Sequence, residues 1–156
     1  MSDEWGLPDP VILALGAVAW GAINVESHGA DLCEFVLSER QGRTPYGTFA
    51  KRALEALAQP PASAARADAS AWIRESVTAT STRNAILHSQ HLVRYPGGAG
   101  DPAWLNHWPN GGSDPIDTPL TEEHLLGVAR SFIDLWDRWV DVYAAFADEI
   151  EPSQTF

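Results

Sequence analysis

The stretch Thr121–Phe146, TEEHLLGVARSFIDLWDRWVDVYAAF, carries the clearest helical pattern in the chain. Its apolar residues recur every three or four positions, the spacing of one face of an α-helix. Thr121 precedes two glutamates, an order typical of an N-cap followed by acidic residues that complement the helix dipole. We expect Leu120 to pack against Leu125 across this start. The predicted apolar stripe is Leu125, Ala129, Phe132, Trp136, Trp139, Tyr143 and Phe146.

Three further helices are predicted before this one. The first covers Val11 to about Ser38, after a start that Asp9 caps. The second covers Tyr46 to about Gln59 and is ended by two prolines. The third begins within the Ala/Ser-rich segment 62–71 and ends around residues 88–91.

A short β excursion is predicted between the third and fourth helices. Leu92–Tyr95 is predicted to be extended, and residues 96–102 contain the prolines and glycines typical of a turn. Trp104–Trp108 alternates large and polar residues, which predicts a second strand. Residues 109–119 are predicted to form a loop. The expected fold is therefore all-α: an antiparallel up-and-down bundle of four main helices with a small β-hairpin between helices 3 and 4.

Composition indicates one globular domain over residues 1–156, with an ordered core at about 9–150. The formal net charge is −11, and the ten Lys and Arg residues are scattered along the chain. Proteins that grip a long nucleic-acid backbone normally carry a basic patch, so extended duplex binding is disfavoured. One arginine can still engage one phosphate briefly. Seven tryptophans are many for this length, and we expect some at a subunit contact.

The single cysteine and the N-terminus indicate the compartment. Cys33 excludes an internal disulfide and fits a reducing environment, and its apolar context favours a core residue over a nucleophile. Residues 1–8 are acidic and lack the basic start of a signal peptide. The apolar run Val11–Ala22 is shorter than a membrane span. We expect a soluble cytoplasmic protein with no membrane partner.

The candidate functional residues lie in residues 83–88, RNAILH, near the end of the third helix. Asn84 and His88 lie four positions apart and therefore share a helix face. Arg83 lies on the adjoining face, but its long side chain can reach toward the imidazole. A cation, an amide and a group that titrates near neutral pH suit phosphodiester chemistry. The same residues also suit a structural cap, in which Arg83 and Asn84 bond carbonyls at the helix end and His88 caps it.

This segment resembles the HEPN superfamily of small helical proteins, whose marker is an Arg, often followed by a polar residue, then a His after four to six positions. The layout is similar too: two helices before the motif, one long helix after it, and a β-hairpin between, as in stand-alone bacterial members. The resemblance implies a metal-independent endoribonuclease or toxin-like effector, or an RNA-binding relative. It also implies a homodimer with two motifs facing across the two-fold axis, and a possible protein partner such as an antitoxin.

The resemblance assigns roles to individual residues. His88 would be the general base or acid, Arg83 would bind the scissile phosphate, and Asn84 would orient one of them. Ser89 and Arg94 would contact substrate. Toxins of this superfamily that are silenced by nucleotidylation carry a Tyr two positions after the His. Gln90 stands there in this chain, so that control is not expected.

The other histidines and the tryptophans of the last helix are expected to have structural roles. His88, His91 and His107 lack a nearby carboxylate or thiol, so we expect no metal and no cofactor. His28 and Asp31 are expected to be a solvated pair on the first helix. Trp136 and Trp139 are expected in the core or at a dimer interface rather than as a base-stacking platform.

Two hypotheses remain open. The first is a ribonuclease or toxin-like effector that engages RNA weakly because its surface is acidic. The second is a non-catalytic dimeric module whose motif stabilises the interface or holds a small anionic ligand. A further cation near the motif would favour the first, and Arg94 and Arg74 are the candidates.

Overall fold

The computed structural model describes residues 9–88, 91–93, 103–107 and 116–150, with burial and side-chain contacts for 9–88 and 118–150. Within these ranges the chain forms four α-helices, and the predicted all-α helical bundle is confirmed at this level. Each helix lies within a few residues of its predicted bounds. They are α1 (Asp9–Leu37), α2 (Tyr46–Leu57), α3 (Ala64–Leu87) and α4 (Glu122–Ile150).

The excursion between α3 and α4 differs from the prediction. Three strands, β1 (His91–Val93), β2 (Ala103–His107) and β3 (Ile116–Leu120), form an antiparallel sheet in the order β1-β2-β3. Leu105 of β2 lies opposite Leu92 on one side and Thr118 on the other. The excursion is therefore a three-stranded sheet and not the predicted two-stranded hairpin, and the predicted loop is wrong at residues 116–119. Residues 109–115 lie outside the described residues. Pro119 lies in β3, an outer strand of the sheet, where a residue that lacks an N–H donor is tolerated.

The chain divides into two compact units, which are described separately. Unit 1 comprises Met1–Ala22 and Ala79–Ser131, and unit 2 comprises Ile23–Thr78 and Phe132–Phe156. The predicted motif and the sheet belong to unit 1. Most side-chain hydrogen bonds of the described residues belong to unit 2.

A buried hydrogen bond joins α2 to α3 in unit 2. The Tyr46 hydroxyl lies 2.5 Å from Ser76 Oγ, and Ser76 Oγ donates to the carbonyl of Ile73 at 2.8 Å. Since the serine has one proton to give, Tyr46 donates to Ser76. Burial raises the pKa of Tyr46 well above its usual range. The ring also lies against Gly29 of α1, where a Cβ atom would come 2.6 Å from its Cζ.

Helix α4 is attached to α3 by the indole of Trp72. Trp72 is 1% exposed, and its Nε1 donates to the carbonyl of Leu135 at 2.8 Å. At the surface, Arg138 pairs with Glu75. Leu135 is 3% exposed and Trp136 is 40% exposed, so Leu135, which the predicted stripe omits, is the buried residue of this pair in the described chain. Neighbouring positions both fit a three-to-four repeat, and here the smaller side chain is the one buried.

The start of α4 in unit 1 is as predicted. The backbone N–H of His124 donates to Thr121 Oγ1 at 3.1 Å, which is the expected N-cap bond. Leu120 and Leu125, on either side of this cap, are both buried. The cap therefore sets where the last helix begins.

Helix α1 has one buried face and one exposed face in unit 1. Val18 and Ala22 are fully buried, whereas Leu13 is 74% and Trp20 is 65% exposed. Of the helices described, α1 alone is long and apolar enough to cross a membrane, with a mean hydropathy of 1.4 over its best window, 28% of which is buried. This is weak support for a membrane role, because core helices of soluble proteins pass the same test. The cytoplasmic location stays a prediction.

Cys33 lies in the core of unit 2. It is fully buried, and burial raises the pKa of its thiol to about 12. The thiol is therefore protonated at neutral pH, which fits the predicted core role and does not suit a nucleophile.

Gly29→Ala is expected to destabilise the protein, because the added methyl group meets the ring of Tyr46, which Ser76 holds in place. Overpacking of this kind costs about 1–3 kcal/mol. The melting temperature should fall by about 2–4 °C for each kcal/mol lost. Thermal unfolding followed by circular dichroism measures the change.

Gly127→Ala is the matched control. Gly127 is an exposed position inside α4, and a Cβ there meets nothing within 4 Å. Replacing glycine by alanine in such a position stabilises a helix by about 1 kcal/mol. A Gly29→Ala protein as stable as Gly127→Ala would contradict the packing described around Tyr46.

Candidate functional site

The motif residues occupy the last turn of α3 and the residue after it. The helix ends at Leu87, but the backbone N–H of His88 still donates to the carbonyl of Asn84 at 2.9 Å. Helical spacing therefore continues to His88, which places Asn84 and His88 on one face. His88 is exposed and Asn84 is half-buried. An imidazole at this place is open to a ligand from solvent.

Arg83 has a different environment from His88. It is half-buried, and its Nε atom has no contact with solvent. Five positions separate the two residues, which is about 140° around the helix axis. The two side chains leave the helix on different faces. Their meeting at one phosphate depends on the reach of the arginine stem.

Thr80 adds a buried hydroxyl to the face of Asn84 and His88. It lies four residues before Asn84, so the three residues form one stripe with the spacing i, i+4, i+8. Thr80 is 7% exposed, and its Oγ1 atom has no hydrogen-bond partner in the part of the chain that the structure describes. The sequence reasoning missed Thr80, although its spacing from Asn84 could have indicated it.

The electrostatics at this end of α3 are mixed. The C-terminal end of a helix carries a partial negative charge, which disfavours a phosphate. Arg83 is the positive group closest in sequence to this end. Arg74 is exposed and lies nine residues earlier in α3, about 13 Å along the axis. Ser89, Gln90 and Arg94 lie outside the described residues.

Metal ligands are not grouped in the described ranges. Across residues 9–88 and 118–150, no set of three or more His, Cys, Asp or Glu side chains is placed to hold a metal ion. The side chains of His91 and His107 lie outside those ranges. The expectation that the site needs no metal stays a prediction.

His28 is not solvated as predicted. Its ring stacks on Trp139 at 4.3 Å between centroids and meets Trp136 edge-on at 5.4 Å. Its carbonyl accepts a 3.0 Å bond from Trp139 Nε1. Asp31 is exposed, so the predicted solvated pair is wrong for His28. A polar residue type suggested solvent, but a flat imidazole packs well against an indole.

Thr80→Val is expected to leave the fold intact and to raise its stability, because an isosteric methyl group replaces a buried hydroxyl that has no partner in the described structure. Removing such a group raises the free energy of unfolding by up to about 1–2 kcal/mol. The readout is the melting temperature.

Thr78→Val is the control on the same helix. Thr78 is exposed and its hydroxyl donates to the carbonyl of Arg74 at 3.0 Å. Its substitution should change stability by less than about 0.5 kcal/mol. A clear loss of stability in Thr80→Val would mean that the buried hydroxyl has a partner in solution.

Comparisons with known proteins found no match for this chain. No family model matches the sequence, no curated protein shows a significant match, and no solved structure shows a significant match. The resemblance to the HEPN superfamily therefore stays an expectation from the sequence.

Proposed function

We propose that the chain is a HEPN-like, metal-independent endoribonuclease or toxin-like effector that acts through Arg83, Asn84 and His88. The observation that carries this proposal is the exposed imidazole of His88 one helical turn beyond Asn84, with a cation immediately before that amide. The buried, unpartnered hydroxyl of Thr80 on the same face adds a polar group that the described fold does not use.

The reaction is an internal transesterification. The imidazole of one His88 removes the proton from a ribose 2′-hydroxyl, and the 2′-oxygen attacks the adjacent phosphorus. The bond to the 5′-oxygen breaks, and that oxygen takes up a proton. The products are a 2′,3′-cyclic phosphate and a 5′-hydroxyl end. Arg83 stabilises the charge that grows on the phosphoryl oxygens.

A homodimer would supply the second imidazole. Each chain carries one copy of the motif, so two motifs facing each other would place a base and an acid at the same phosphate. The exposed apolar face of α1 suits a contact with a second copy: Ile12 is 38%, Leu13 is 74% and Trp20 is 65% exposed. Gly16 lies among them and has open space beside it. Apolar faces of this kind mark association surfaces.

Several wider features belong to the same proposal. The four helices run up and down in antiparallel order, and the protein is cytoplasmic. The net charge of −11 leads to weak engagement of RNA. A protein partner such as an antitoxin would restrain the activity.

One observation favours the alternative, a non-catalytic dimeric module. Arg83 is half-buried with a shielded Nε atom, as expected of an arginine that supports the helix end or an interface. In that case the motif would stabilise the fold or hold a small anion. The two hypotheses predict different results for His88→Ala: a loss of cleavage in the first, and a lower melting temperature in the second.

The test is cleavage of mixed single-stranded RNA in excess EDTA. We expect slow cleavage that gives 2′,3′-cyclic phosphate ends and does not respond to the chelator. His88→Ala should lower the rate by about 10²–10⁴, the usual contribution of general acid–base catalysis. Arg83→Ala should lower it by about 10²–10³.

Arg130→Ala is the control for Arg83→Ala, since it removes an exposed arginine of α4 and changes the net charge equally. All variants must keep the wild-type melting temperature and dimer, the latter measured by light scattering. A monomeric wild type, or cleavage that persists in both motif variants, contradicts the proposal. No cleavage together with a melting temperature lowered by several degrees in His88→Ala identifies a structural motif.

A further inference from the structure

Unit 2 contains an open cavity with a volume of about 410 Å³, and none of residues 83–88 lines it. This is within the range of small-ligand sites, roughly 300–1,000 Å³. Residues of α1 and α4, with one from the segment after α1, form its walls. The lining residues are Asp31, Glu34, Phe35, Arg40, Trp139 and Tyr143.

Three aromatic rings form a row along the cavity. Tyr143 is in the middle, with Trp139 at 5.2 Å on one side and Phe35 at 5.4 Å on the other, each tilted by about 30°. All three residues are half-buried, so part of each residue is accessible to solvent. Aromatic faces carry negative electrostatic potential and attract cations within about 6 Å.

Contacts behind the row hold its two ends in place. Trp139 stacks on His28 at 4.3 Å and donates its Nε1–H to the carbonyl of that residue. Phe35 meets the buried ring of Phe146 edge-on at 5.7 Å. The rings are thus positioned before any ligand arrives, which lowers the entropic cost of binding.

The charges at the cavity favour a positive ligand. Asp31 is exposed and has no ion pair or hydrogen bond in the part of the chain that the structure describes. Glu34 is held by the backbone N–H of Gln41 at 2.9 Å and pairs with Arg40 at 3.2 Å. The Arg40 side chain is 91% exposed, and exposed ion pairs of this kind contribute little. A cationic ligand can therefore replace the Arg40 guanidinium beside the Glu34 carboxylate.

We propose that this cavity binds a small free alkylammonium cation. The aromatic row would receive the alkylated nitrogen, and Asp31 and Glu34 would balance its charge. Asp31 and Glu34 alone do not form a metal site, since no group of three or more His, Cys, Asp or Glu side chains placed to hold a metal ion occurs among the described residues. The two carboxylates would also repel a phosphate. The inference is independent of the ribonuclease proposal.

The probe is choline, titrated at constant ionic strength and followed by calorimetry and tryptophan fluorescence. Its neutral isostere, 3,3-dimethyl-1-butanol, has the same shape without the charge and should bind about tenfold more weakly. Phosphocholine should also bind more weakly than choline, because its phosphate would lie near the two carboxylates. Tighter binding of phosphocholine would overturn the proposal in favour of a lipid headgroup.

The variants separate the aromatic and the charged contributions. Tyr143→Leu should weaken choline binding about tenfold, whereas Tyr143→Phe should keep it. Asp31→Asn should weaken binding about threefold, and Arg40→Ala should tighten it about threefold by removing the competing cation. The controls Asp141→Asn and Arg43→Ala change the same charges at exposed positions that do not line the cavity.

Exposed positions keep the test valid if Tyr143→Leu fails to fold. Asp31 and Arg40 lie at the surface, so their variants should melt within a few degrees of wild type. Equal binding of choline and its neutral isostere, weaker binding in Arg40→Ala, or no saturable signal with wild type would each overturn the proposal.

Discussion

The packing of unit 2 depends on one buried hydroxyl group, that of Tyr46. It donates to Ser76 of α3 while its ring lies against Gly29 of α1, so a single side chain of α2 contacts two other helices. A buried hydroxyl left without a partner would cost about 1–3 kcal/mol. One turn before Ser76, Trp72 donates to the carbonyl of Leu135 and adds α4 to the same group. The bonds from Tyr46 and Trp72 thus join α2, α3 and α4 in the core of unit 2, and the bond from Trp139 to the carbonyl of His28 joins α4 to α1.

The two candidate sites use opposite electrostatics. At the end of α3, the proposed binding of a phosphate beside the exposed imidazole would depend on Arg83 to offset both the negative helix end and the acidic chain. In unit 2, the carboxylates of Asp31 and Glu34 and the rings beside them act in the direction of the net charge and attract a cation. Both sites stand mainly on helices, which position side chains more reproducibly than loops do.

The sequence predicted the helices well and the special contacts poorly. Thr121 marked the start of α4 because an N-cap is a local pattern, and the bond from His124 to its hydroxyl agrees. The strand Ile116–Leu120 was missed because its sequence, IDTPL, contains a proline and follows the Pro/Gly-rich residues 109–115, a composition typical of loops. His28 was assigned to solvent because its stacking on Trp139 joins residues 111 positions apart. Periodicity predicts which face is apolar, but not which distant side chain covers a polar one.

The central proposal is that residues 83–88 bind and cleave a phosphodiester. NMR of the His88 imidazole tests the binding step most directly. The protein is labelled with ¹³C-histidine, the His88 signal is assigned by its loss in His88→Ala, and single-stranded RNA with 2′-O-methyl groups is added so that no cleavage occurs. The account predicts a saturable shift of the His88 signal that disappears in Arg83→Ala and persists in Arg130→Ala. A His88 signal that does not move at saturating RNA would contradict it.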